Sequence, residues 1–220
     1  MRSSRTRKIA ILAMLSALAY VVMLVGRIQV LTVPPYLKYD PKDVIITIGG
    51  FIFGPLSVFA MSLVISFVEM VTASDTGIIG AIMNLVSTCA FACTAAYIYK
   101  KKHTLAGAVV GLISGALMAT LVMLLWNYFL TPIFLGYPRD VVAAMLIPIF
   151  MPFNLLKGGL NAAITMLIYK PVRVGLSKSR LLPEPDNVKA PQKINIGAML
   201  ASAFVLISGI LLILVYQGLI

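Results

Sequence analysis

Three polar residues lie within an apolar run that is long enough to cross a lipid bilayer. Asn154, Lys157 and Asn161 are spaced i, i+3 and i+7, so a helix over 145–169 places all three on one face. A cation at the bilayer centre costs about 2.5–3.5 kcal/mol even on the most lenient scale, so this lysine needs a polar partner. An ammonium and two carboxamides can donate and accept hydrogen bonds where lipid does neither. Their partner is either another helix or a polar ligand.

The composition is that of an integral membrane protein. Of 220 residues, 60% are hydrophobic and 11% are charged, whereas a soluble domain is about half apolar and a quarter charged. The net charge is +11, but the basic residues lie between apolar runs, as in cytoplasmic loops, and not on a folded basic surface. This distribution argues against nucleic-acid binding and predicts an all-α, polytopic membrane protein.

Hydrophobic runs and charge define the predicted helices. Four apolar runs are each long enough to span a bilayer, namely 8–26, 78–99, 105–130 and 145–169. A fifth run, 44–73, is interrupted by Gly54-Pro55 and is predicted to form a hairpin of two short helices. The hairpin places Lys100, Lys101 and Lys102 on the same side as the basic N-terminus, as the positive-inside rule prefers. The N-terminus is therefore predicted to be cytoplasmic.

The C-terminal part of the chain adds a further helix. A basic, proline-containing linker over 174–193 separates a six-helix membrane domain, residues 1–173, from an apolar run over 194–220. The linker is predicted to be cytoplasmic. The last run has almost no polar groups, which predicts a plain anchor helix.

Catalysis is not expected from these residues. The only histidine, His103, lies in a basic loop, away from any serine at membrane depth, and there is no glycine-rich phosphate loop. The acids are scattered, and Cys89 and Cys93 are interpreted as small buried hydrophobes, so neither a metal site nor a cofactor is predicted. Glu69, near the end of the hairpin's second arm, is expected to reach toward the interface, although pairing and ligand contact are alternatives.

Several polar residues gather toward the outer side of the membrane. They are Tyr39, Asp40, Asn127, Asn154 and Lys157. A one-sided polar pocket with aromatic walls is typical of a site for a flat, hydrogen-bonding small molecule. The proline- and tyrosine-rich segment 33–41 is either an interfacial anchor or a cover over that pocket. The residues alone therefore predict a membrane-embedded binder of a small polar aromatic ligand.

Two segments resemble a known family. Tyr36-Leu37-Lys38-Tyr39-Asp40-Pro41-Lys42-Asp43, leading into Gly49-Gly50-Phe51-Ile52-Phe53-Gly54-Pro55, is similar to the first-loop region of substrate-binding (S) components of energy-coupling factor (ECF) vitamin transporters. With Asn127-Tyr128 and Pro152-Phe153-Asn154-Leu155-Leu156-Lys157-Gly158, the chain most resembles the riboflavin-specific branch. The resemblance covers about residues 8–173, and the linker and last helix depart from the usual six-helix core.

The resemblance implies a high-affinity riboflavin-binding subunit in a prokaryotic plasma membrane. Such a component captures the vitamin, or its phosphate ester FMN, at the outer face and delivers it inward with a transmembrane coupling subunit and two ATPase subunits. ATP hydrolysis would belong to those partners. The ligand-binding residues that it implies are Leu37, Tyr39, Asp40, Asn127, Asn154 and Lys157. The amide and ammonium groups of the 145–169 helix are expected to be left unpaired, so that a flavin completes them.

Ala13 and Ala17 form a small-xxx-small pair in the first helix. Such pairs allow close helix contact, either within this chain or with a partner membrane protein. In the family that the chain resembles, a matching motif in the first helix is the one through which S components contact the coupling subunit.

Two alternatives remain at this point. An S component for another vitamin, such as thiamin or a folate-like ring, would share the fold and mechanism. A membrane scaffold without a transport role would use Lys157 only to bond neighbouring helices.

Overall fold

Helices make up nearly all of the structure, a computed structural model that describes residues 2–30, 37–74, 76–178 and 196–218. The α-helices of this part are α1 (Arg2–Gly26), α2 (Lys42–Phe53), α3 (Pro55–Thr72), α4 (Gly77–Thr88), α5 (Thr94–Lys102), α6 (Leu105–Leu135), α7 (Arg139–Met145), α8 (Met151–Lys178) and α9 (Ile196–Tyr216). Two short strands, β1 (Ile28–Gln29) and β2 (Lys38–Tyr39), follow α1.

Two π-helical stretches join shorter helices into longer rods. Cys89–Cys93 connects α4 to α5, and Leu146–Phe150 connects α7 to α8. The second stretch contains Pro148 and is followed by Pro152. Because proline has no backbone N–H to donate, the regular α-helical ladder is interrupted there and the turn widens. The polar face with Asn154 and Lys157 begins directly after this widened turn.

The described helices form a membrane bundle. Within these residues, six rods are long and apolar enough to cross a bilayer: α1, α3, α4–α5, α6, α7–α8 and α9. The predicted hairpin is also present, since α2 and α3 meet at Gly54, which has a φ of 91°. With its 12 residues, α2 is about 18 Å long and too short to span the bilayer alone. Counting α2, the six core helices are α1, α2, α3, α4–α5, α6 and α7–α8, and α9 is the added C-terminal helix, so the predicted all-α membrane bundle is confirmed.

Two helix boundaries differ from the sequence prediction. The helix predicted over 105–130 continues to Leu135, so the outer loop shrinks to residues 136–138. Pro132 lies inside this helix. A membrane helix tolerates an internal proline when nearby side chains satisfy the backbone. The helix predicted to end at residue 169 continues as α8 to Lys178, and most of the predicted linker lies outside the described residues.

Glycines let α6 pack closely against the α4–α5 rod. A Cβ atom on Gly111 would lie 2.8 Å from the backbone oxygen of Ala95, and one on Gly115 would lie 2.4 Å from that of Phe91. Gly107, Gly111 and Gly115 form two GxxxG steps in the sequence, a spacing that predicts a close-packing face. Backbone atoms cannot move aside as a flexible side chain can, so these positions exclude larger residues.

We expect Gly115→Ala to destabilise the fold by about 1–3 kcal/mol, because the new methyl group forces α6 away from Phe91. Gly159→Ala is the matched control, because its Cβ would meet nothing nearer than 3.9 Å. At that position alanine is favoured over glycine by its helix propensity. Thermal unfolding of the purified proteins in detergent compares the two. Equal melting temperatures would contradict the packing role of Gly115.

One end of the bundle collects polar groups. The end of α1, the start of α2 and the end of α3 meet there through Arg27, Lys42 and Glu69. The strands β1 and β2 pair antiparallel at the same end, with Ile28 opposite Tyr39 and Gln29 opposite Lys38. Tyr39 of β2 hydrogen-bonds Asn161 of α8, so the candidate site adjoins this strand pair.

Candidate functional site

Four charged residues form a buried ion cluster at the polar end, which we call the Glu69 cluster. The Lys42 Nζ atom lies 2.9 Å from Asp40 Oδ2 and also pairs with Glu69. Arg27 pairs with Glu69 and lies 3.5 Å from Asp40. Lys42 and Glu69 are 1% and 3% exposed, so each charge depends on its partners. The expectation that Glu69 reaches toward the interface is therefore wrong: it pairs with cations from two other segments.

The start of α2 explains why Asp40 belongs to this cluster. Its Oδ1 atom accepts a hydrogen bond of 3.0 Å from the backbone N–H of Lys42, one of the first N–H groups of the helix. Burial alone would raise the Asp40 pKa, but the positive charges of Lys42 and Lys157 outweigh it and lower that pKa. Asp40 is thus an ionised group that both fixes the helix start and balances a buried lysine.

A second buried group, the Asp43 cluster, joins α2 to α4 and α8. Asp43 Oδ1 accepts from the Thr88 hydroxyl at 2.6 Å, and Asp43 Oδ2 accepts from Asn161 Nδ2 at 3.4 Å. The Asn161 carboxamide oxygen in turn accepts from the Tyr39 hydroxyl at 3.0 Å. Burial, together with the nearby Asp43 and Asp40 charges, raises the pKa of Tyr39. Its hydroxyl therefore stays protonated and remains a donor at physiological pH.

Lys157 completes the Asp43 cluster, but loosely. Its Nζ atom lies 3.5 Å from Asp43 Oδ2, and its side chain is 13% exposed. A strong ammonium–carboxylate hydrogen bond is about 2.7–2.9 Å long. Among the described residues Asp43 is the acid that pairs with Lys157, and the ammonium donates no hydrogen bond there. The expectation that the ammonium is unpaired is wrong, yet its N–H groups retain capacity to donate to a ligand.

The two predicted asparagines bond within their own helices. Asn127 Nδ2 donates to the Met123 backbone oxygen and Asn154 Nδ2 to that of Phe150, each at 2.7 Å. Asn127 Oδ1 also accepts from Thr131. The expectation that the Asn154 side-chain amide is unpaired is therefore wrong for the nitrogen, which donates to Phe150. Its carboxamide oxygen accepts no hydrogen bond from the described part of the chain.

Apolar side chains form the wall beside these polar groups. Leu37 and Tyr39 belong to one buried cluster with Phe150, Phe153 and Leu160 of the α7–α8 rod. Both phenylalanines precede Asn154 within one helical turn, and Tyr39 of β2 shares their cluster while it bonds Asn161 on the polar face. The structure thus brings Tyr39, Asp40 and Lys157 together around Asp43, with Leu37 on the apolar side. Asn127 is buried on α6, one turn beyond Leu124, which packs against this apolar cluster.

Sequence reasoning missed the acid at the centre of the site. Counting loop charges from the sequence predicts that Lys42 and Asp43 lie in an outer loop, but both are 1% exposed. Asn161 was placed on the polar face without a role in the site. A signal was nevertheless present in the sequence. Lys42 and Asp43 are the first two residues of an apolar helix whose remaining residues are uncharged. Buried charges need partners of opposite sign, and Lys157 was the known candidate.

The two clusters together are balanced in charge. Three buried acids, Asp40, Asp43 and Glu69, face three bases, Arg27, Lys42 and Lys157. Among the described residues, no group of three or more histidine, cysteine or acidic side chains could hold a metal ion. The arrangement is suited to hydrogen-bonding a neutral polar molecule against an aromatic wall.

A separate surface lies between α1 and α3. Ala13 and Ala17 are exposed and line a groove of about 550 Å³. Its other lining residues are mostly apolar, and they include Tyr20, Val64 and Val68. The small-residue pair therefore faces outward from the part of the bundle that the structure describes.

Comparison with known proteins agrees with this architecture. A family model described as "ECF transporter, substrate-specific component" matches residues 7–169. The riboflavin transporter FmnP of Bacillus subtilis (strain 168) is 26% identical over 185 residues, which cover 80% of this chain and 97% of that protein. The riboflavin transporter RibU of Staphylococcus aureus (strain TCH60) is 26% identical over 172 residues, covering 76% and 90%.

A solved structure gives the same result for the fold. It is described as "Structure and mechanism of the S component of a bacterial ECF transporter", and it matches with a TM-score of 0.68 and 27% identity. The match covers 78% of this chain and 98% of the other. Members of the matched family are transport components and not enzymes. The chain belongs to the family of substrate-specific components of ECF transporters.

Proposed function

We propose that this protein is the riboflavin-binding S component of an ECF importer in a prokaryotic plasma membrane. It captures the vitamin at the outer face and delivers it inward with a transmembrane coupling subunit and two ATPase subunits. Relatives named as riboflavin transporters support the substrate. The observation that carries the proposal is Lys157, a mostly buried ammonium held at 3.5 Å by one carboxylate. Such a group is positioned to take a second acceptor.

The site residues suit the chemistry of a flavin. The isoalloxazine ring presents carbonyls and a ring N–H along one edge. Lys157 can donate to a carbonyl, and the carboxamide oxygen of Asn154 can accept from the N–H. The aromatic side chains Phe150 and Phe153 give the flat ring an apolar surface. Tyr39 and Asp40 are close enough to this group for ribityl hydroxyls to bond beside them.

Charge balance favours the neutral vitamin over its phosphate ester. A phosphate group adds about −1.5 to −2 charges at pH 7, whereas Lys42 and Arg27 are already committed to Asp40 and Glu69. We expect riboflavin to bind more tightly than FMN by at least tenfold. Quenching of flavin fluorescence by the purified protein measures both affinities. A preparation that quenches neither flavin contradicts the proposed function, and equal affinities contradict the charge argument alone.

The groove between α1 and α3 is the proposed docking face for the coupling subunit. We expect the double variant Ala13→Leu, Ala17→Leu to block uptake while leaving riboflavin affinity unchanged, because leucines fill the groove without touching the site. The matched control is Val21→Leu, an exposed position on the same helix outside the groove. Uptake of radiolabelled riboflavin in cells with a functional coupling module is the measurement. Uptake at the parental rate in the double variant would exclude this docking role.

The proposed orientation places the N-terminus in the cytoplasm. Lys100, Lys101 and Lys102 are exposed at the end of α5, and they lie on the same side as the basic start of α1. At the other end, Lys42 is buried and Arg27 is partly buried, and both pair with Glu69. These two bases are therefore not free loop charges on that side, which agrees with the positive-inside rule.

A further inference from the structure

The C-terminal helix α9 is an addition to the family core. The family model ends at residue 169, and the matched S-component structure covers 78% of this chain. Sequence alone interprets this segment as a plain anchor. In the structure, however, α9 contacts both the membrane helix α8 and the β1–β2 strand pair beside the candidate site.

The middle of α9 packs tightly on α8. A Cβ atom on Gly209 would lie 2.6 Å from Leu160 Cδ2 and 3.3 Å from Leu156 Cδ1. Gly209 is buried, as is Ser202 two turns earlier. Small residues at such positions let two membrane helices approach closely. The face of α9 that carries Ser202 and Gly209 therefore packs against α8, while its other faces remain exposed.

The last turns of α9 reach the strand pair. Ile213 is 7% exposed and belongs to the same buried cluster as Leu37 and Tyr39. One turn later, the Gln217 side chain donates a hydrogen bond of 2.8 Å to the backbone oxygen of Gln29 in β1. A hydrogen bond thus connects α9 to β1, and Ile213 shares a buried apolar cluster with Tyr39 of β2.

The strand pair in turn contacts the candidate site. Gln29 lies opposite Lys38 in β2, and the next residue, Tyr39, donates to Asn161 of the Asp43 cluster. We propose that α9 tethers the β1–β2 pair to α8 and thereby slows both the binding and the release of the ligand. This inference rests on the proposed riboflavin site, which the strand pair covers.

Rate measurements on the full-length protein in lipid nanodiscs test the tether. Gly209→Val pushes α9 away from Leu160, and Ile213→Ala removes its contact with the strand cluster. We expect riboflavin association and dissociation rate constants, from stopped-flow fluorescence quenching, to rise together by about fivefold to thirtyfold. The equilibrium affinity changes less than either rate constant, because loss of the tether speeds both association and dissociation. Leu211→Ala, an exposed position on the same helix, is the matched control.

Gln217→Ala provides a variant that cannot disturb the core, because Gln217 is exposed. We expect it to raise both rate constants by a smaller factor of about two to five. Rate constants equal to those of Leu211→Ala in all three variants would overturn the tether. Faster release without faster binding would also overturn it, since that pattern indicates a damaged pocket. A parent protein that binds no riboflavin contradicts the proposed function instead.

Discussion

Replacement of Lys157 by alanine is expected to abolish high-affinity riboflavin binding. The ammonium is mostly buried and donates no hydrogen bond within the described residues, so its loss leaves a flavin carbonyl without its donor. One charge-assisted hydrogen bond is worth about 1.5–3 kcal/mol, or a factor of roughly 10–150 in affinity. Asn154→Ala is expected to have a similar effect. Titration of flavin fluorescence with each purified variant measures the loss.

The control for this variant must separate binding from stability. Lys157→Ala leaves the buried Asp43 carboxylate without its cation, which could destabilise the fold. The double variant Lys157→Ala, Asp43→Asn removes the orphaned charge and keeps an oxygen to accept from Thr88. It should regain thermal stability without regaining affinity. Lys100→Ala, at the opposite end of the bundle, should bind normally. Parental affinity in the double variant would exclude Lys157 from the site.

A large loss of stability is expected from Glu69→Gln. This substitution removes the acid that pairs with both Arg27 and Lys42, and Lys42 is 1% exposed. Breaking a buried ion pair by removing one partner costs about 3–5 kcal/mol, and here Asp40 alone would face two cations, so one positive charge is uncompensated. The thermal unfolding midpoint of the purified protein reports this change. Asp140→Asn, at an exposed acid, should leave the midpoint within error.

A second substitution tests whether the cost comes from the uncompensated cation. Adding Lys42→Met to Glu69→Gln removes one orphaned charge while keeping the aliphatic volume of the side chain. The double variant should therefore melt above the Glu69→Gln single variant. If Glu69→Gln melts like Asp140→Asn, the ion cluster does not stabilise the fold.

The helical hairpin and the polar face of α8 could be predicted because each depends on local pattern. Gly54-Pro55 breaks a run too long for one helix, and charge bias then selects the hairpin. Asn154, Lys157 and Asn161 share a face by helical spacing alone. The Gly111–Gly115 stripe was predicted for the same reason.

The partners across the bundle could not be predicted in this way. Charge counting treats every acid or base near a helix end as a loop residue, so Lys42 and Asp43 were placed outside. Their burial follows from contacts with Glu69 and Asn161, which arrive from distant parts of the chain. Likewise, Pro132 predicts a helix end because proline has no backbone N–H to donate, but in α6 it lies inside the helix. Tertiary partners override the local rule in both cases.

The two buried clusters have a consequence for how the nascent chain enters the membrane. Lys42 meets Glu69 after 27 further residues, whereas Asp43 bonds Asn161, which lies 118 residues along the chain. Lys42 therefore finds its acid in the next helix, whereas Asp43 gains a hydrogen bond from Thr88 first and meets its cation, Lys157, only when α8 is inserted. A chain that ends before α8 would therefore leave the Asp43 carboxylate in the membrane without its lysine counterion.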